Sequence, residues 1–165
     1  MDFIRIYFTE EKIESIIFVI LGICAIALAL FFWFIIKYSL FNGIAYPFLL
    51  IGIIQVIVGT SIIMRTSKDI ERVENMAIHD SVKVKTEELP RMEKVLKDFK
   101  TYKIIELLLI VSGLFLYIYF FNAKLPFWKG LGLGLVIQSF IMLALDLLAE
   151  DRAAKYIDEL RKILS

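Results

Sequence analysis

SIIFVILGICAIALALFFWFII, residues 15–36, and YSLFNGIAYPFLLIGIIQVIVGTSIIM, residues 38–64, carry no charged side chain and are divided only by Lys37. The hydrocarbon core of a bilayer is about 30 Å thick and takes about 20 apolar helical residues to cross, so each stretch is long enough to span it with some tilt. Outward from this pair, two further uncharged runs follow: residues 107–123, between Glu106 and Lys124, and residues 130–145, between Lys129 and Asp146. Both are short, so their flanking Lys and carboxylate side chains must snorkel or pair. The sequence predicts an all-α integral membrane protein. Its four transmembrane helices form two hairpins, flanked by amphipathic cytoplasmic helices.

Composition leads to the same class. Of 165 residues, 59% are hydrophobic and 14% aromatic, with a mean hydropathy of +0.76, against about 45–50% apolar usage in soluble domains. A soluble chain of this size cannot hide so much apolar surface. The charges nearly balance, 19 basic against 18 acidic, which argues against a nucleic-acid partner held by a basic field. Cys24 is alone in an apolar run; it reads as a small buried hydrophobe in a reducing or lipid environment. The first run is not expected to be a cleaved signal peptide: four acidic and two basic residues precede it, and no small-residue cleavage pattern follows.

Lys and Arg set the orientation. The segment up to residue 14, the connection from Arg65 to Lys103 and the segment from Arg152 onward hold sixteen of the 19, leaving Lys37, Lys124 and Lys129 for the other two connections. The positive-inside rule makes the rich side cytoplasmic, in a cell (inner) membrane with both termini inside. Aromatics crowd the opposite side, from Phe31 to Tyr46 and from Tyr117 to Trp128, as an interfacial belt, and Asn42-Gly43 and Leu125-Pro126 are expected to mark its tight turns. The organisation expected is an N-terminal cytoplasmic amphipathic segment 1–14, a first transmembrane hairpin 15–65, a cytoplasmic helical hairpin 66–103, a second transmembrane hairpin 104–148 and a C-terminal amphipathic helix 149–165.

The polar segments have helical periodicity. Ala153, Tyr156, Ile157, Leu160 and Ile163 or Leu164 recur at three- and four-residue spacing; Leu89, Met92, Val95, Leu96 and Phe99 do the same, as do Ile70, Val73 and Ala77. A turn near Asp80 to Lys85 is expected, with Thr86 as N-cap, Pro90 in the first turn, and Glu87 and Glu88 favouring the helix dipole. Either the three stripes bury one another in a small bundle, or the last helix lies flat on anionic lipid through Arg152, Lys155, Arg161 and Lys162.

Polar residues inside spans are expensive and mark function by default. Gln55 and Gln138 fall near mid-span, as packing glue or as pore lining. Glu106 and Asp146 lie about one turn inside the cytoplasmic boundary, with Glu14 and Arg65 at a similar level. Together they form either a cation-attracting vestibule or a cluster neutralised by Arg65 or a nearby Lys. Gly52 and Gly59 on span two, and Gly130, Gly132 and Gly134 on span four, permit close helix approach or a constriction. The order Glu14, Gly22, Gln55 is echoed by Glu106, Gly113, Gln138, as in a parallel repeat.

No enzyme, cofactor or metal site is expected. There is no Cys-x-x-Cys, no His-rich spacing, no nucleophile elbow and no phosphate-cradling loop; Gly130-Leu-Gly-Leu-Gly follows a turn, not a strand. Arg72 and His79, with six residues between them, resemble the Arg-to-His motif of HEPN-type ribonucleases, but such a site needs a soluble helical dimer and this segment is small. His79 equally suits a pH-responsive group. The expected function is a homo-oligomeric channel or pore-forming effector gated through its cytoplasmic helices, similar in architecture to small membrane effectors of bacterial defence. The alternative is a non-conducting accessory or scaffold protein docking a cytoplasmic partner.

Overall fold

The computed structural model describes residues 2–164, the side chains of Ser81 and Leu164 excepted. The described chain is helical with short connections: α1 (Asp2–Phe31), α2 (Ser39–His79), α3 (Ser81–Lys83), α4 (Leu89–Tyr119) and α5 (Pro126–Leu164), with π-helical turns at Phe32–Ile36 and Val84–Glu88. Four of these helices are long and apolar enough to cross a membrane. At 1.5 Å per residue the 41 residues of α2 extend about 60 Å, roughly twice a bilayer core. Each long helix therefore has an apolar half and a polar half, and the polar halves gather into one base.

Two expected breaks move. Asn42 and Gly43 lie inside α2, not in a turn. The chain reverses instead at Lys37, which adopts the left-handed conformation (φ 53°) and donates its N–H to the carbonyl of Phe32. Gly43 is reserved for contact, since a Cβ there would strike the backbone of Phe127 and Leu131. At the other break, α2 ends at His79 and helix resumes at once, because Asp80 accepts a hydrogen bond from the N–H of Lys83 at 3.2 Å. Asp80 is the cap, and Thr86 is not: its hydroxyl bonds back to the carbonyl of Val82 inside the helix. Pro90 does sit in the first turn of α4, and Pro126 opens α5.

The main contacts run α1 with α2, α2 with α5 and α5 with α4, with a smaller α1–α5 contact. Glycines set these crossings. A Cβ on Gly22 would meet the carbonyl of Gly52 at 2.7 Å, and one on Gly113 would meet that of Gly132 at 2.7 Å. Such approach packs backbone directly on backbone at each crossing. Cys24 is exposed rather than buried, on the outer face of α1 beside the exposed Ile20 and Ile23.

The base has its own core: Ile4, Tyr7 and Phe8 from α1, Val73 from α2, Val84, Met92 from α4, and Ala153, Tyr156, Ile157 and Leu160 from α5, with Ile70, Ala77, Leu89, Val95, Leu96 and Phe99 packed on it. All three expected stripes are therefore buried, and the C-terminal stripe packs in the bundle instead of lying flat. Of its two alternatives for the last apolar position, Ile163 is exposed and the side chain of Leu164 lies outside the described residues.

Candidate functional site

The α2–α5 seam is closed. Gln138 donates from Nε2 to Oε1 of Gln55 at 2.7 Å, both side chains being buried. Gly134 lies so near α2 that a Cβ would meet the carbonyl of Ile44 at 2.9 Å, and Gly130 is held against Leu40. Gly52 and Gly59 do the same for α2 on α1. These residues act as glue between helices, and no passage runs between α2 and α5 at the level of the glutamines.

The α4–α5 seam is built differently. Gly132, Ser139 and Asp146 are seven residues apart, so one face of α5 carries all three. Gly132 meets Gly113, and Asp146 meets Glu106 of α4. Glu106 is 3% exposed, and both its carboxylate oxygens are sealed from solvent without a hydrogen-bond donor, as is the hydroxyl of Ser139. Asp146 is half-buried. Among the described residues neither acid has a cationic partner. One turn nearer the base the same seam carries Lys103 and Glu150, paired at 2.6 Å, as a polar cover over the two acids.

The other expected members of an acidic cluster belong to the base. Arg65 reaches Glu11 at 3.1 Å and Asp69 at 3.4 Å, not Glu106 or Asp146. Glu14 pairs with Arg152. The expected neutralising cation is therefore absent from the Glu106–Asp146 pair because Arg65 finds two acids on and beside its own helix.

The base also holds a charged knot that the sequence reading passed over. Glu88, 0% exposed, accepts from Arg91 at 2.9 and 2.6 Å, from Arg72 at 3.1 Å and from the Tyr156 hydroxyl at 3.3 Å. Tyr156 stacks on Tyr7 at 4.1 Å, and the Arg91 guanidinium lies 5.9 Å over Phe8. One carboxylate thus ties α2, α4 and α5 together, and α1 joins through the rings. Burial opposes the Arg91 charge, but the hydrogen bond and charge of Glu88 outweigh it and raise the Arg91 pKa. Burial likewise raises the pKa of Tyr7 and Tyr156, and both stay protonated. Arg72 is committed to Glu88 and Asp69, while His79 bonds the carbonyl of Asn75 at 3.2 Å, so the two do not share a site. The signal available for Glu88 was its place in a helical stripe with Met92 and Val95; for α1 it was Ile4, Tyr7 and Phe8 at three- and four-residue spacing.

Two facing carboxyls without a cation can share a proton or offer oxygen ligands to a small cation. Fold and site together define an all-helical protein with four apolar helices able to cross a membrane and an uncompensated acid pair at the end of that apolar zone. No family model, curated protein or solved structure matches the chain.

Proposed function

We propose that this chain is a four-span protein of the cell (inner) membrane, arranged as two transmembrane hairpins with both termini in the cytoplasm, and that it assembles as a homo-oligomeric cation channel with Glu106 and Asp146 as its inner ion site. The carrying observation is the buried Glu106 carboxylate, without a hydrogen-bond donor and against a second acid. An ionisable group kept in an apolar zone without compensation marks a functional site by default. Orientation is supported by the sixteen Lys and Arg gathered on the base side. Assembly is supported by the closed α2–α5 seam: a filled four-helix core has no room for an ion, so a path has to run between copies. The knot at Glu88 joins all four long helices and suits a gate operated from the cytoplasm.

Cation flux into liposomes containing the purified chain tests this reading. Flux is expected above protein-free vesicles, and Asp146→Asn should lower it at least about fivefold with the unfolding temperature within a few degrees of the parent. Absence of flux for every small cation, or a monodisperse 19.1 kDa species in nanodiscs, would leave the accessory reading, which the well-packed base favours as a platform for a cytoplasmic partner.

A further inference from the structure

Helices α1 and α5 touch less than their neighbours do, and toward the base they part into a groove. It consists of two adjoining cavities of about 350 and 260 Å³ that share Glu10, Arg152 and Lys155. Its upper end is walled by Ile13 and Leu148, which are exposed and continue into the outward apolar side chains Ile16, Ile17 and Leu147. Glu10, Glu14, Asp151, Arg152 and Lys155 form a charged band below them, and the lower end mixes Phe3, Ile6, Tyr7 and Tyr156 with Glu159. The apolar wall above and the charged band beneath it suit an amphiphile at the edge of a bilayer, with its chains along Ile13 and Leu148 and its headgroup at the band.

The charges narrow the headgroup. Arg152 is fixed by Glu14 and by the Tyr7 ring, 5.5 Å from its guanidinium carbon, yet its buried Nε has no hydrogen-bond acceptor. Lys155 pairs with Asp151 at 2.6 Å. Glu10 is exposed and in no ion pair among the described residues. One donor and one acceptor thus stay unmatched in the same groove. A purely anionic headgroup would meet Glu10, Glu14, Asp151 and Glu159; a purely cationic one would meet Arg152 and Lys155. A group carrying both signs satisfies both sets: phosphate on Arg152 and Lys155, whose N–H donors suit its oxygens, and a primary ammonium, with three donors, on Glu10. A quaternary ammonium has no N–H to give.

We propose that the α1–α5 groove binds a phospholipid whose headgroup combines a phosphate with a primary amine, as phosphatidylethanolamine does. The proposal depends on the membrane reading only for the supply of lipid, and flotation of the chain with liposomes of any headgroup reports on that separately.

Native mass spectrometry of the full chain, with ethanolamine, choline and glycerol phospholipids of identical acyl chains, is the test. Retention of the ethanolamine lipid should exceed that of the other two by about tenfold, the scale of one charge-assisted hydrogen bond. Glu10→Gln and Lys155→Gln, both at exposed positions, should each abolish most of that preference while unfolding temperature and flotation stay unchanged. Soluble phosphoethanolamine at equal concentration should not displace the lipid. Equal retention of the three lipids, a preference untouched by both substitutions, or displacement by the soluble headgroup would overturn the proposal.

Discussion

Glu88 in the base and Glu106 at the edge of the apolar half are both buried, at 0% and 3% exposure, and their surroundings are opposite. Glu88 receives four hydrogen bonds, three of them from guanidinium groups. Glu106 receives none by ordinary geometry and faces another acid. Burying a carboxylate is unfavourable by several kcal/mol unless partners compensate it. In the base that compensation is complete, so the charge serves architecture. On the α4–α5 seam it is missing, so the folded state gains nothing from the charge, and a use outside folding is the better account of it. On the proposed reading, the same amino acid at the same depth of burial divides structural from functional chemistry by its neighbours alone.

The largest expected effect lies on the structural side. Glu88→Gln leaves Arg72 and Arg91 facing a neutral amide that supplies one acceptor where two oxygens stood. Breaking a buried pair by removing one partner typically destabilises by about 3–5 kcal/mol. Arg72 and Arg91 are partly exposed, which places the expected loss near the lower bound, about 3 kcal/mol. Chemical unfolding in mild detergent measures it, and a loss below about 1 kcal/mol would erase the contrast between the two glutamates.

Much of this contrast was invisible in the sequence, and the reasons are physical. The four apolar helices were legible because an uncharged run of 16 or more residues has few other uses. The stripes through Leu89 and Ala153 were legible because helical periodicity is local. Ion pairing between helices is not local: Arg65 lay at the right depth for Glu106 but, beside Asp69 on its own helix, it reaches Glu11 of α1, a choice set by how α1 and α2 are rotated about their axes. Glu88 read only as a dipole-favouring acid, since nothing in its neighbourhood reveals that α5 brings Tyr156 over it. Asn42-Gly43 read as a turn because that dipeptide usually is one; here the glycine serves a helix crossing against Phe127.

A smaller effect is expected at the closed seam. Gln138→Leu removes the donor to Gln55 and leaves that amide without a partner in an apolar contact. Hydrogen bonds between membrane helices average about 0.6 kcal/mol and reach about 1.7, so a loss of about 1 kcal/mol is expected. With Gln55→Leu as the second arm, a double-mutant cycle should return a coupling of the same size. Zero coupling would mean that the glutamines are free to face a path between copies, which would move the proposed ion route away from Glu106 and Asp146.

The smallest effect on stability is expected where the sequence made the acid look most precarious. Glu106→Gln conserves shape and removes a carboxyl that no cation balances, so no ion pair is orphaned by the change. The new amide can donate an N–H to the Asp146 carboxylate, a bond between neutral donor and charged acceptor that ordinarily contributes about 1.5–3 kcal/mol. Against this stands only the solvation of a carboxylate that is already cut off from water. The net change should therefore lie between zero and a modest gain, opposite in sign to that of Glu88→Gln. Cation flux in liposomes should fall at the same time, because the pair has lost one of its two carboxyls. Unfolding of the two variants side by side, under one detergent condition, decides the matter. If Glu106→Gln costs about as much as Glu88→Gln, then a partner compensates Glu106 after all, and the α4–α5 acids return to the structural inventory of the fold.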